Sequence, residues 1–143
     1  METKDVTIRL SSTICHPGQD EETHEIRAAG QYIKKSDRVY LKFIEDQSGE
    51  PIQTTVKMGE EDALIMRKGA TDMRLPFDLD GERHGTYGSG PANFNLIVKT
   101  NLLEFIEQED GNSGSFTVNY DLMAEGSVLG IYKLLFTYTE GTL

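Results

Sequence analysis

The sequence contains no tryptophan, one cysteine and no long apolar run, and each scarcity excludes a class of protein. Cys15 alone permits no internal disulfide, which excludes a small secreted scaffold held by disulfides. No apolar segment approaches the roughly 20 residues of a membrane-spanning helix. The N-terminal METKDVTIRL carries charges where a secretory signal has an apolar stretch. We therefore expect a protein of the reducing cytoplasm.

Positive charge is also scarce. Lys and Arg number 14 against 24 Asp and Glu, a formal net charge of −10. The averaged surface field repels phosphate backbones and anionic lipid headgroups, so we expect neither nucleic acid nor a membrane as partner. The acidic clusters at 20–22, 60–62 and 107–110 lie beside turn residues and are interpreted as solvating charge.

Residues with catalytic or metal-binding chemistry are few and scattered. His16, His24 and His84 lie in separate segments without the spacing of zinc ligands, so we predict no metal and no cofactor. Cys15 and His16 are adjacent, and adjacent side chains of a strand point to opposite faces, so they cannot act as nucleophile and base. Cys15 is interpreted as a small filler at a strand end. We therefore predict that the protein is not an enzyme.

The stretch DLDGERHGTYGSGP, residues 78–91, is the one segment that invites a motif search. Read as a calcium loop from Asp78, it has Arg83 where the sharp turn requires glycine and Ser89 in place of the closing glutamate. Read as a dinucleotide cradle, it has Asn93 at the third glycine position. We predict a tight turn at LDGE and a second connection at YGSGP.

Alternating apolar and polar residues between closely spaced turns predict an all-β fold. Turn sequences recur about every eight to twelve residues, as in a sandwich or barrel. The length of 143 residues suits one domain, residues 1–143. Four predicted strands place an apolar set on one face: Val6, Ile8, Leu10 and Ile14; Ile52, Thr54, Val56 and Met58; Met73, Leu75, Phe77 and Leu79; Phe116, Val118, Tyr120 and Leu122.

Three segments depart from that simple pattern. Residues 128–138 are apolar at both parities, which predicts a strand covered on both sides or lying in a partner interface. Residues 92–108 fit helix and strand spacing equally. Pro76 removes a ladder donor, which confines it to an edge, a bulge or a gap, so a closed sheet should be weakest there.

The side chain of Arg67 can lie on either face of its strand. If Ala63 and Ile65 face inward, so does Arg67, and it then needs a carboxylate of the protein or of a ligand. If Leu64 and Met66 face inward, Arg67 is an ordinary surface residue, and we favour this interpretation. Tyr87, Tyr120 and Tyr132 are able to line a cavity or to fill the core, and we favour the core.

The order of several segments resembles the YwiB-like family of small bacterial proteins of unassigned function. The resemblance covers nearly the whole chain and rests on VYLKF (39–43), TTVKM (54–58), IMRKGA (65–70), Phe77, Gly81, Tyr87, Lys99, Thr100 and GSFTVNYDL (114–122). It implies an antiparallel up-and-down calycin-like, or lipocalin-like, barrel of roughly ten strands. It also implies that 92–108 is strand with a break near Asn101. It implies no reaction.

Two hypotheses follow for function. The first is a non-enzymatic cytoplasmic barrel that binds a small, partly apolar ligand, which enters at the rim formed by 78–91 or at the gap near Pro76. Its candidate ligand-binding residues are Arg67, Phe77, Tyr87, Tyr120 and Tyr132, with Arg67 and a tyrosine holding an anionic head group. The second is a protein interaction module that uses Val128–Tyr138 for self-association as a homodimer, or for another partner.

Overall fold

Ten antiparallel strands make up most of the chain in the computed structural model, which describes residues 1–47, 50–69, 71–89 and 91–141. Each strand pairs with its neighbours in sequence and β1 pairs with β10, which closes an up-and-down barrel. The predicted fold class is confirmed. Within the described residues, no helix is long and apolar enough to cross a membrane. The strands are β1 (Glu2–Cys15), β2 (Glu22–Lys35), β3 (Arg38–Gln47), β4 (Glu50–Met58), β5 (Asp62–Lys68), β6 (Asp72–Asp78), β7 (Arg83–Ser89), β8 (Ala92–Glu107), β9 (Ser113–Ala124) and β10 (Ser127–Glu140).

The barrel interior takes one residue of every two along each strand. The side chains of Leu41, Val56, Val98, Phe116 and Val118 are completely buried there. The predicted inward sets are confirmed with one exception, because Leu79 is 47% exposed. Strand β6 ends at Asp78, so the alternation does not continue to Leu79.

The predicted turns fall between consecutive strands. The predicted LDGE turn, residues 79–82, connects β6 to β7, while Gly90 of the predicted YGSGP connection lies outside the described residues. The connection of β5 to β6, residues 69–71, was not among the predictions.

Residues 92–107 form a single strand, so the helical alternative is wrong. The pairing of β8 with β9 shifts register between Thr100 and Leu102, which confirms the break near Asn101. This bulge lets apolar residues on both sides of it face the interior, with Leu96 and Val98 before it and Leu103 after it. The one extra residue at this bulge thus explains why the apolar residues of 92–107 also fit a helical spacing.

Two neighbouring pairs of strands separate over part of their length. Strands β6 and β7 pair only over Asp72–Arg74, so the ladder ends before Pro76, as the missing N–H predicts. Strands β2 and β3 pair over Gly30–Lys35 and diverge beyond it. Gly30 lies where they diverge, and a Cβ there would come within 2.5 Å of the Lys42 carbonyl oxygen. The close approach of the strands therefore requires glycine at this position.

We call the end of the barrel that carries the 36–37, 59–61, 79–82 and 108–112 connections the filled end. Its interior is occupied by Val6, Tyr32, Val39, Phe77 and Tyr138, all under 5% exposed. Toward the middle, the rings of Phe43 and Phe116 pack on Phe136 with centroids 6.5 and 6.1 Å away. Side chains thus fill this half of the interior.

Candidate functional site

A cavity of about 850 Å³ occupies the other half of the barrel, which we call the hollow end. It lies near the 16–21, 69–71 and 125–126 connections. Its wall is mainly apolar, with residues from all ten strands, and Phe136 both lines the cavity and packs on Phe116 at the boundary with the filled end. The main apolar lining residues are Leu10, Ile14, Ile26, Ile65, Leu75, Leu96, Leu122 and Leu134. This size is typical of small-molecule sites.

A polar cluster of Arg67, Glu45 and Thr54 interrupts the apolar wall of the cavity. Nη2 of Arg67 donates to Oε1 of Glu45 at 3.1 Å, and the Thr54 hydroxyl donates to Oε2. The Glu45 side chain is only 5% exposed and that of Arg67 is 31% exposed. Nε of Arg67 is buried and has no hydrogen-bond partner among the described residues. A buried donor without an acceptor is rare in proteins and costs free energy.

The surface interpretation of Arg67 is wrong. Ala63 and Ile65 are the buried residues of β5, so Arg67 shares their inward face. The carboxylate that compensates for the inward position of Arg67 is Glu45, which the sequence analysis did not identify. The signal was present in the alternation of β3, where Glu45 follows Val39, Leu41 and Phe43 at the same parity.

Tyr120 and Tyr132 both line the cavity and stack in parallel, with ring centroids 5.1 Å apart. Burial raises the pKa of Tyr120 far above its ordinary value, Tyr132 raises it further, and the positive charge of Arg67 acts in the opposite sense. Burial also raises the pKa of Tyr132. Both hydroxyls are therefore protonated well beyond neutral pH and are hydrogen-bond donors.

Tyr87 and Phe77, the other two candidate residues, lie in different surroundings. Tyr87 is at the mouth of the cavity and is 44% exposed, so the prediction of a core position is wrong for it. Phe77 is 1% exposed and is not a lining residue; its ring packs on that of Tyr120 at 4.8 Å. Arg67, Tyr87, Tyr120 and Tyr132 thus line the same cavity. Phe77 does not line it but packs on Tyr120.

Comparisons with known proteins agree with this architecture. The sequence matches the family described as a domain of unknown function, DUF1934, over residues 8–135. This chain belongs to the DUF1934 family. It is 27% identical over 137 residues to the uncharacterized beta-barrel protein YwiB of Bacillus subtilis strain 168, covering 96% of this chain and 94% of the relative. The crystal structure of the ywiB protein from Bacillus subtilis superposes with a TM-score of 0.85 at 24% identity, covering 98% of this chain and 94% of that one.

The described part of the motif-like stretch 78–91 of this DUF1934 protein comprises the turn at the filled end and strand β7, Arg83–Ser89. Its LDGE part is the predicted turn, at the filled end, where Asp78 accepts from the Asp80 N–H at 2.9 Å and from Nη2 of Arg83 at 2.7 Å. The Asp78 carboxylate is thus committed to holding the turn. Only the Tyr87 end of the stretch reaches the cavity. The prediction that the whole stretch forms the entry rim is therefore wrong.

His16, His24 and Cys15 lie at the hollow end, and His84 lies exposed on a barrel strand. Nδ1 of His16 is 3.0 Å from the Leu129 carbonyl oxygen, which ties the end of β1 to β10. His24 lines the cavity near the divergence of β2 and β3, and His84 is exposed on β7. Cys15 is the half-buried last residue of β1, in agreement with a strand-end filler.

Proposed function

We propose that this DUF1934 protein is a non-enzymatic binder of a small, partly apolar ligand held in the hollow end of the barrel. The observation that carries the proposal is the combination of a cavity of about 850 Å³ with an Arg67 whose buried Nε has no partner among the described residues. An apolar cavity with a few convergent polar groups is the usual form of a ligand site. The family has no assigned function with which the proposal must agree.

Arg67 is the group expected to hold the polar end of the ligand. Glu45 occupies one N–H of the guanidinium, which leaves donors for an oxygen of the ligand, and a carboxylate would be the strongest acceptor. The protonated hydroxyls of Tyr120 and Tyr132 are further donors in the same cavity. A tyrosine hydroxyl with a raised pKa is a weaker acid, and its phenolate is scarcely populated at neutral pH, which favours binding over acid-base catalysis. We place this binder in the cytoplasm, in keeping with its single cysteine.

The experiment is native mass spectrometry of the protein purified gently from its own cells, in comparison with variants. The wild type should carry a reproducible extra mass that leaves on denaturation. Charge reversal at Arg67 would set two carboxylates against each other at Glu45, so the test uses the paired neutral variant E45Q/R67M, which should lose the extra mass. R74M, which removes an exposed arginine from the outer face of β6, is the control and should keep it. A bare wild-type chain would sink the proposal.

Self-association through β10 is the second candidate function. Ile131 and Leu135 point outward from this strand and are 44% and 40% exposed, so the chain by itself does not cover both faces of β10. Sedimentation at increasing concentration should show a dimer that I131K disrupts. A monomer at every concentration would remove this candidate.

A further inference from the structure

A second groove, of about 750 Å³, adjoins the interior cavity at the hollow end. Tyr87, Leu96 and Leu129 line both spaces, so the two are separated by shared side chains. We call this second space the outer groove; its further lining residues are His84, Asn93, Phe94, Asn95, Ile97, Ala124 and Glu125.

The outer groove exists because the barrel wall is incomplete at this point. Strand β8 pairs with β7 from Ala92 onward, but its pairing with β9 begins only at Ile97. In the described part of the chain, residues 92–96 therefore have a strand partner on one side only. The small side chain of Ala124, at the end of β9, lies at this opening.

A bulge in β10 places Leu129 at the opening. The register of β10 against β9 shifts between Val128 and Gly130, which leaves Leu129 as the extra residue. Bulges of this kind redirect a side chain out of the regular alternation. Leu129 is 41% exposed and, like Tyr87, lines both spaces.

The groove is suited to an apolar occupant. Phe94 is 59% exposed, and its directly opposite partner on β7 is Tyr87, which is 44% exposed. Among the groove residues, only His84 and Glu125 are able to carry charge near neutral pH, so the groove supplies no permanent cation for an anionic group. An exposed apolar surface that continues a cavity is better matched by the apolar part of the same ligand.

We propose, on the basis of the proposed function, that the ligand is a long amphiphile with its polar group at Arg67, and that its apolar chain leaves the barrel between Tyr87 and Leu129 to lie in the outer groove on Phe94. In this arrangement the interior cavity recognises the polar group of the ligand. The outer groove determines which lengths of apolar chain bind best.

The test uses straight-chain alkyl carboxylates of increasing length, measured by calorimetric titration on the wild type, F94S and I44S. Ile44 is a matched control because it is 60% exposed on β3 and lines neither space. For the wild type, affinity should rise by up to about fourfold per methylene and keep rising for chains too long for the interior cavity. F94S should weaken the longest chains about tenfold and leave short chains unchanged, while I44S should change neither.

A second variant, A124F, narrows the opening and should also weaken only the long chains. Two results would overturn the inference and leave the proposed function intact. One is a wild-type affinity that stops rising once the chain fills the interior cavity. The other is the same dependence of affinity on chain length in F94S and I44S. A change in oligomeric mass in F94S without a change in length dependence would assign the groove to a second copy of the chain and overturn it as well. If no carboxylate of any length binds, the inference fails, and native mass spectrometry decides the proposed function separately.

Discussion

Glu107 at the filled end and Glu45 at the hollow end each accept hydrogen bonds from two side chains, but the surroundings of the two carboxylates differ. At the filled end, Glu107 accepts from the hydroxyls of Tyr32 at 2.6 Å and Tyr138 at 3.5 Å, and the two rings pack together at 5.3 Å. At the hollow end, Glu45 accepts from Thr54 and Arg67, yet Nε of Arg67 has no partner in the described structure. Both tyrosine hydroxyls at the filled end thus have an acceptor, whereas at the hollow end one buried donor of Arg67 has none among the described residues and the Arg67 side chain, 31% exposed, borders an open space.

The largest expected difference between the two ends is in the loss of stability when a packed side chain is removed. Phe77→Ala at the filled end should lower the free energy of unfolding by about 4 kcal/mol, because it leaves a void among fully buried neighbours. Met73→Ala, on the same face of β6 but at the cavity wall, should cost clearly less, since Met73 already borders open space. Chemical denaturation measures both. Equal costs would mean that the two ends are packed alike.

The next difference concerns the buried ion pair. Arg67→Met should cost about 3 kcal/mol, because it leaves the Glu45 carboxylate buried and unpaired. Glu45→Gln should cost less, because the Arg67 side chain is 31% exposed and able to reach water in the cavity. The double variant E45Q/R67M should recover most of the stability. A double variant no more stable than R67M would contradict the assignment of the pair.

A third prediction concerns the buried tyrosines of both ends at alkaline pH. Burial, followed by the hydrogen bond and charge of Glu107, raises the pKa of Tyr32, and burial with the charge and hydrogen bond of Glu107 does the same for Tyr138. In the unfolded chain these tyrosines ionise near pH 10. The stability that their neutral forms provide is therefore present below about pH 10 and falls as the pH rises above it.

Absorbance titration of tyrosinate measures this directly. Of the six tyrosines, the four with raised pKa values, Tyr32, Tyr120, Tyr132 and Tyr138, should ionise only at higher pH or together with unfolding. Y32F should remove part of the alkaline loss of stability. Six tyrosines that titrate normally in the folded protein would contradict the burial assigned to both ends.

The smallest expected effect is at the mouth of the cavity. Tyr87→Ser should change the free energy of unfolding by less than about 0.5 kcal/mol, because Tyr87 is 44% exposed and outside the buried core. It should nevertheless weaken ligand binding if the hollow end is the site. A large loss of stability in Y87S would make Tyr87 a structural residue.

Much of the barrel was predictable because alternation and turn chemistry are local properties of the sequence. The inward faces of β1, β4 and β9 follow from single apolar sets, and the turns from glycine, proline and charged residues. The face of β5 was not predictable in this way, because Ala63 and Ile65 compete with Leu64 and Met66. The inward face of β5 is indicated only by Glu45, which is distant in sequence and is brought close to Arg67 by the pairing of β3, β4 and β5.

The candidate residues were named from the sequence, but the favoured positions of Arg67 and Tyr87 were wrong and their arrangement was not predicted. Arg67, Tyr87, Tyr120 and Tyr132 meet at one cavity, whereas the filling of the other half of the barrel depends on which aromatic rings pack together across it. The outer groove depends on where the β8 to β9 pairing begins, a register that no local pattern encodes.

The most direct test of the difference between the two ends is methyl-detected NMR of the protein under xenon pressure, since xenon enters apolar cavities and not packed interiors. The methyl signals of Ile65 and Leu134, which line the cavity, should shift, while that of Val39 at the filled end should not. Shifts of equal size at both ends, or none at Ile65 and Leu134, would contradict a barrel that is filled at one end and hollow at the other.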